Sequence, residues 1–443
     1  MSTISNEQTQ AYRAAFLQDP IHLASQRSVW KNGIQNSAQN QETFVTNTPQ
    51  FSIDLNTGKV ANQKQSGRCW MFAALNTMRH KMSSDLNLAN FELSQNYTFF
   101  WDKYEKANYF YENILATAQQ ERTSREVSFL LQTPQQDGGQ WDMIVSIFQK
   151  YGVVPKAAMP ETASSENSTE LNVYLNKLLR KHAIILRQLV VENASDETIE
   201  SKRTELLQEV YDLLATALGL PPETFNFEYR DEENNFIQEL DLTPHTFYDK
   251  YIGIDLDNYV SVINAPTDDK PFMHSYTVDM LGNVAGGKQV KYLNLDIADL
   301  KELALKQLQS GESVWFGSDV GQSSLRDKGI MATDALAVDD LFGVDFNMTK
   351  GERLDYGESL MTHAMVLTGV DLINDVPTKW KVENSWGEKV GTDGFFVMSD
   401  AWMDEYTYQV VVRKDLLSAE QQAAFDEEPT VLAPWDPMGA LAN

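Results

Sequence analysis

One cysteine stands in this 443-residue chain, Cys69. No disulfide can form within the chain, and no thiolate zinc site can be built. Long apolar runs are missing too. No stretch approaches the ~18 uninterrupted apolar residues of a spanning helix, so no membrane partner is expected. Positive charge is scarce: Lys and Arg number 36 against 63 Asp and Glu, a formal net charge of −27. Such a surface repels phosphate backbones and anionic lipid, so no nucleic-acid partner is expected. There is no H-E-x-x-H, and no histidines pair at ligand spacing, so no metal and no other cofactor is expected. The opening residues, MSTISNEQTQAYRAAF, lack a basic start followed by an apolar core, the pattern of a signal peptide. A large chain without disulfides suits a reducing compartment, and a cytoplasmic location is expected.

What is present is ample core material, 42% hydrophobic residues, and a clear division of texture. Ser5, Glu7, Tyr12 and Phe16 predict a short N-terminal helix. After the turn residues Ser66 and Gly67, an apolar helix starts near Cys69. Met71, Leu75, Met78 and Met82 form one buried stripe along it. Residues 91–135 read mostly as helix. Asp137-Gly138-Gly139 breaks the chain, and a helix from Trp141 ends at Gly152. Between 160 and 220 two amphipathic helices follow in tandem. One carries Leu171, Leu175, Leu178, His182, Ile185 and Leu189 on a face. The other is capped by Ser195 and carries Ile199, Leu206, Val210, Leu213 and Ala217. Beyond about residue 250 short β-like runs take over, with strands predicted at His363–Asp371 and through Trp380, Val382 and Asn384. Helices first and strands later predict an α+β fold.

Four residues could carry chemistry. Cys69 in isolation is as readily a small core residue as a nucleophile. Its place at a helix N-terminus would favour the thiolate, and Arg68 adds positive charge nearby. Gln63, six residues earlier, is either a solvated loop side chain or a donor that joins the Cys69 N–H in an oxyanion hole. Of the six histidines, His182 lies on an apolar helix face and reads as a satisfied core residue. His80 points away along the helix that follows Cys69. His363 begins an apolar strand, where the backbone is fixed and the ring meets a cleft edge, and is the best candidate base. Asn384 ends a strand and could hold one tautomer of that ring, with Trp386 covering the bond; alone, Asn-Ser-Trp-Gly is equally a turn with a buried Trp.

Together these segments resemble the papain-like cysteine peptidases. The resemblance rests on Gln63…Cys69-Trp70, Gly67, Leu93-Ser94-Gln95, Gly138-Gly139 with Trp141 and Tyr151-Gly152, His363-Ala364, Asn384-Ser385-Trp386-Gly387 and Gly391…Gly394-Phe395-Phe396. The nucleophile segment reads Ser66-Gly67-Arg68-Cys69-Trp70, without the first cysteine that pairs in secreted members. His363 follows Cys69 by 294 residues, where the papain pattern expects ~130–150. A long, disulfide-free chain of this kind, ending Pro-Trp-Asp-Pro-Met-Gly-Ala-Leu-Ala before Asn443, resembles the bleomycin hydrolase and bacterial aminopeptidase C group.

The resemblance implies a papain-like fold with large, mainly helical insertions. It divides the chain into an N-terminal extension (1–60), a helical catalytic half (61–160) and an insertion of helices and a hook-like β segment (161–295). A β half (296–432) and a C-terminal arm entering the cleft (433–443) follow. It implies a cytoplasmic thiol aminopeptidase acting on peptides, assembled as a homohexamer. Cys69, His363 and Asn384 would be catalytic, Gln63 would serve the oxyanion hole, and Gly138, Gly139, Trp386 and Asn443 would bind substrate. The alternatives are a papain-like endopeptidase with a disordered tail, and a nucleic-acid-binding protein, against which the acidity argues.

Overall fold

The computed structural model describes residues 1–88 and 90–442. The chain opens with two helices rather than one, Asn6–Gln18 and Pro20–Asn32. Asp19-Pro20 divides them: proline is tolerated at a first helical position, and the Asp19 carboxylate caps the Ile21 and His22 amides. Neither helix contains a buried residue.

The helix Cys69–Leu86 is the centre of the molecule. Met71, Leu75, Met78 and Met82 are all buried along it, and burying a side chain of that size stabilises by ~1.5–3 kcal/mol. It ends at Asn87, which takes the left-handed conformation at φ 52°. The helices Gln95–Ala116 and Trp141–Tyr151 pack beside it. Gln95–Ala116 buries Asp102, Lys103, Glu105 and Lys106 as well as Tyr97, Phe99, Phe100, Phe110 and Tyr111. These charges are paired: Lys106 with Asp102 at 2.7 Å and Lys103 with Asp137 at 2.6 Å.

The tandem helices are Thr169–Val191 and Asp196–Leu218. Ser195 caps the second, accepting from the Thr198 amide at 3.2 Å. Their buried seams run in steps of four, Leu171–Leu175–Leu179–Ala183 and Leu206–Val210–Leu214–Leu218. Leu178, Ile185 and Leu213 are therefore only partly buried. Each helix packs against the other and against Gln95–Ala116, which turns the buried stripe slightly from the predicted one. His182 is the satisfied core histidine, between the Tyr111 hydroxyl at 2.6 Å and the Glu209 carboxylate at 3.2 Å.

A hairpin, Phe225–Arg230 with Phe236–Leu242, stands apart from one large mixed sheet. At the centre of that sheet lies His363–Ile373, antiparallel to Val314–Ser318 on one side and to Val376–Glu383 on the other. Its first eight residues are buried, the continuous apolar run of a strand covered on both faces. The strands Tyr259–Ile263, His274–Val278 and Tyr292–Asn294 extend this same sheet through Thr407–Arg413. Helices dominate before residue 220 and strands after it, so the fold is α+β.

Candidate active site

The N-terminus of Cys69–Leu86 abuts the start of His363–Ile373. The Cys69 sulfur, fully buried, accepts the Ala364 amide at 3.4 Å. His363 Nε2 meets Asn384 Oδ1 at 2.9 Å, which leaves Nδ1 as the ring's other nitrogen. Asn384 is delivered by the end of Val376–Glu383 and is itself fully buried. The Trp386 ring lies against the imidazole, centroids 4.9 Å apart, and the Arg326 guanidinium stacks over that indole at 4.0 Å.

Gln63 is buried and held at four points, one of them its carbonyl oxygen, which accepts from the Ser66 hydroxyl at 2.7 Å. Its backbone amide donates to Ser385 O at 2.8 Å, its Oε1 accepts from Ser385 Oγ at 2.5 Å, and its Nε2 donates to Ser66 O at 2.7 Å. The glutamine is thus no solvated loop side chain. Gln63, His363 and Trp386 border a cleft of about 690 Å³ whose far wall is Asp137, Ser168, Thr169 and Asn172.

Burial dominates the electrostatics. It pushes the Cys69 thiol up to about 12, against smaller opposing contributions from the Ala364, Trp70 and Cys69 amides. It pushes the His363 imidazole down to about 4, with the Asn384 hydrogen bond opposing. Both shifts act toward the neutral thiol and the neutral imidazole. The expected help from Arg68 is absent: its side chain is wholly buried and paired with Glu161 at 2.9 Å.

Gly138 and Gly139 follow directly on Asp137 at the rim of that cleft. Gly138 O accepts from Lys106 Nζ at 2.7 Å. At Gly139 a Cβ would stand 2.6 Å from the Trp70 ring, so glycine is required there. The Gly139 amide donates to Ala442 O at 3.3 Å, and Gln140 Nε2 to Ala440 O at 2.6 Å. The chain's last segment thus lies antiparallel along the rim, with Ala442 fully buried. It is stapled upstream by Lys270–Asp436 at 3.0 Å and by Arg125 stacked 3.6 Å over Trp435. Asn443 lies outside the described residues.

Sequence reasoning missed Asp137, which it read only as part of a chain break, and its partners Lys103, Ser168 and Asn172. A charged residue followed by two glycines was the one available signal; Ser168 and Asn172 lie 31 and 35 residues away along the chain, and Gly67, which donates to the same carboxylate, lies 70 away. Among the described residues no group of three or more His, Cys, Asp or Glu is placed to hold a metal ion.

A profile described as "Peptidase C1-like family" matches residues 3–439. Aminopeptidase C of Streptococcus thermophilus is 57% identical over the full length of both chains. That of Lactococcus lactis subsp. lactis is 55% identical, covering 99% of this chain and 100% of the relative. The crystal structure of PepW from Lactobacillus rhamnosis HN001 superposes with a TM-score of 0.99 at 60% identity, covering 100% of both chains. A profile match over nearly the whole chain and relatives above half identity agree with the geometry around Cys69: the chain belongs to the Peptidase C1-like family.

Proposed function

We propose that this chain is a cytoplasmic cysteine aminopeptidase that removes N-terminal residues from peptides through a Cys-His-Asn acyl-enzyme mechanism. Membership in a cysteine peptidase family and full-length relatives named aminopeptidase C support the reaction class. The observation that carries the exopeptidase reading is the seat of the C-terminal segment. Ala442 occupies the Gly139 amide, a backbone donor that an extended peptide would otherwise use. A substrate can then place only its first residue between this arm and Cys69.

In the reaction, His363 Nδ1 accepts the thiol proton as the Cys69 sulfur attacks the first peptide carbonyl. The Gln63 amide and the Cys69 N–H stabilise the oxyanion. Asn384 holds the ring through Nε2, which leaves Nδ1 free to take the thiol proton, and Trp386 shields that bond. The protonated imidazole then gives its proton to the leaving amine, and water activated by the same ring releases the acyl residue. Gly138 and Gly139 let substrate backbone approach, and the arm assigns Asn443 to the substrate's α-amine. No cofactor takes part. The division into extension, helical half, insertion, β half and arm goes with this reading.

The homohexamer belongs to it as well. The two N-terminal helices contain no fully buried residue and expose Tyr12, Phe16, Leu17, Ile21 and Trp30. A helix pair of that kind gains stability from a partner surface.

Deleting residues 440–443 tests the arm. The truncated protein is expected to cleave N-blocked peptides internally and to release single residues at least ~10-fold more slowly, since it loses the anchor for the free amine. No gain of cleavage on blocked peptides would overturn the exopeptidase reading in favour of an endopeptidase with an unused tail.

A further inference from the structure

The peptide unit between Ser66 and Gly67 has a hydrogen bond at each end. Its carbonyl oxygen accepts from Gln63 Nε2 at 2.7 Å. Its N–H donates to the Asp137 carboxylate at 3.0 Å. Asp137 is buried and saturated. Lys103 Nζ pairs with it at 2.6 Å, Asn172 Nδ2 donates at 2.8 Å, and the Ser168 hydroxyl donates to the oxygen that holds Gly67. Ser168 and Asn172 belong to the start of the tandem-helix segment, and that segment also grips the loop directly. Gln65 N donates to Glu166 O at 2.9 Å, and Asn167 Nδ2 to Gln65 Oε1 at 2.9 Å.

We propose that Asp137 is a positioning residue for the oxyanion hole, acting through the Ser66–Gly67 peptide on the Gln63 side chain. The proposal rests on the reading of Gln63 as an oxyanion donor. An anion at the N–H end of a peptide polarises it and strengthens the acceptor at its carbonyl end. The Gln63 amide then has one N–H committed to Ser66, its oxygen committed to Ser385, and its second N–H fixed in direction. A carboxylate can do this only if it stays ionised in a buried site. Lys103, with the hydroxyl and amide of the tandem-helix segment, holds Asp137 well below the ordinary carboxylate range. That segment is thereby tied to the reaction chemistry although it supplies no reacting atom.

The experiment is a double-mutant cycle read by steady-state hydrolysis of an unblocked aminoacyl arylamide. Gln63→Ala is expected to lower kcat by roughly 100-fold, the cost of one oxyanion donor. Asp137→Ala is expected to lower kcat about 30-fold with KM within about twofold, an effect confined to the transition state. Asp137→Asn, whose amide oxygen can still accept from Gly67 but carries no charge, is expected to recover only about threefold of that loss. In the Gln63→Ala background, Asp137→Ala is expected to cost less than about threefold, because the two act in series. Alkylation of Cys69 by iodoacetamide forms no oxyanion, and its rate in Asp137→Ala is expected to stay within about twofold of the parent. If Asp137→Ala does not fold, Asp137→Ala with Lys103→Met removes both buried charges together and replaces it in the cycle. A cost of Asp137→Ala that is the same with and without Gln63 would overturn the relay alone. An alkylation rate falling in step with kcat would assign the effect to the thiol and also overturn it. An unchanged kcat in Gln63→Ala would overturn the oxyanion reading and the relay with it.

Discussion

The sulfur of Cys69 sits where a helix dipole favours a thiolate, yet it is fully buried and burial pushes its thiol up toward the protonated form. Burial acts on the neighbouring imidazole in the neutral direction too, from an ordinary 6.5 down to about 4. Its sign follows directly. A ring whose folded value is depressed stabilises the fold above the ordinary value, and that contribution is lost as pH falls through about 4. Urea unfolding between pH 6.5 and 4 is therefore expected to show a steeper stability loss in the parent than in His363→Gln. Hydrolysis by the folded enzyme should hold through most of that window and fall only near pH 4, because only a neutral ring can accept the thiol proton. Cys69→Ala should bring hydrolysis below detection while costing about 1 kcal/mol or less of stability, the loss of one small buried group. Residual turnover above the uncatalysed rate in that variant would remove Cys69 from the mechanism.

Among elements, the join between Cys69–Leu86 and Val376–Glu383 sets the distance from sulfur to asparagine. It is fastened by Glu383, which receives Arg79 Nη2 at 2.6 Å and His80 Nε2 at 2.9 Å. Arg79 also donates to Lys59 O at 2.6 Å, and His80 Nδ1 meets Ser313 Oγ at 2.9 Å. His80 thus does turn away from the cleft, toward a buried carboxylate one residue before Asn384. Breaking a buried pair leaves a charge without a partner, at about 3–5 kcal/mol. Glu383→Ala should lose that amount in a urea titration, and should lower kcat as Asn384 loses its fixed position. A loss below ~1 kcal/mol would show that packing alone holds this join. The tandem-helix seams show the limit of pattern reading at this scale. Periodicity located both helices and Ser195 as a cap, but the final rotation depended on which helices lay opposite.

For the whole molecule, the −27 charge favours solubility and works against self-association, so any assembly must be driven by apolar surface. The exposed N-terminal helices supply it. Light scattering of the purified protein is expected to give about six times the chain mass of 50.2 kDa. The pair Phe16→Asp and Trp30→Asp should shift it to smaller species, because buried aromatics dominate such interfaces. A monomer in the parent at micromolar concentration would refute the homohexamer. Among the described residues no helix is long and apolar enough to cross a membrane.

Read alone, the chain determined its element types, because apolar spacing and caps are local properties. It also marked Cys69, His363, Asn384 and Gln63 as candidates, since each sits beside a break or an element end that shows in the residue order. The single cysteine and the charge balance excluded disulfides and made anionic partners unfavourable without any fold at all. What only the tertiary structure decided were the partners of buried charge. Arg68 was read as a charge near the thiol and proved to be buried against Glu161. Asp137 was read as a turn and proved to be bound to Gly67, Lys103, Ser168 and Asn172. The physical reason is one of range. A helix or turn is set by residues a few positions apart. The desolvation of a carboxylate or a thiol depends on every segment that closes over it, and those segments come from far along the chain.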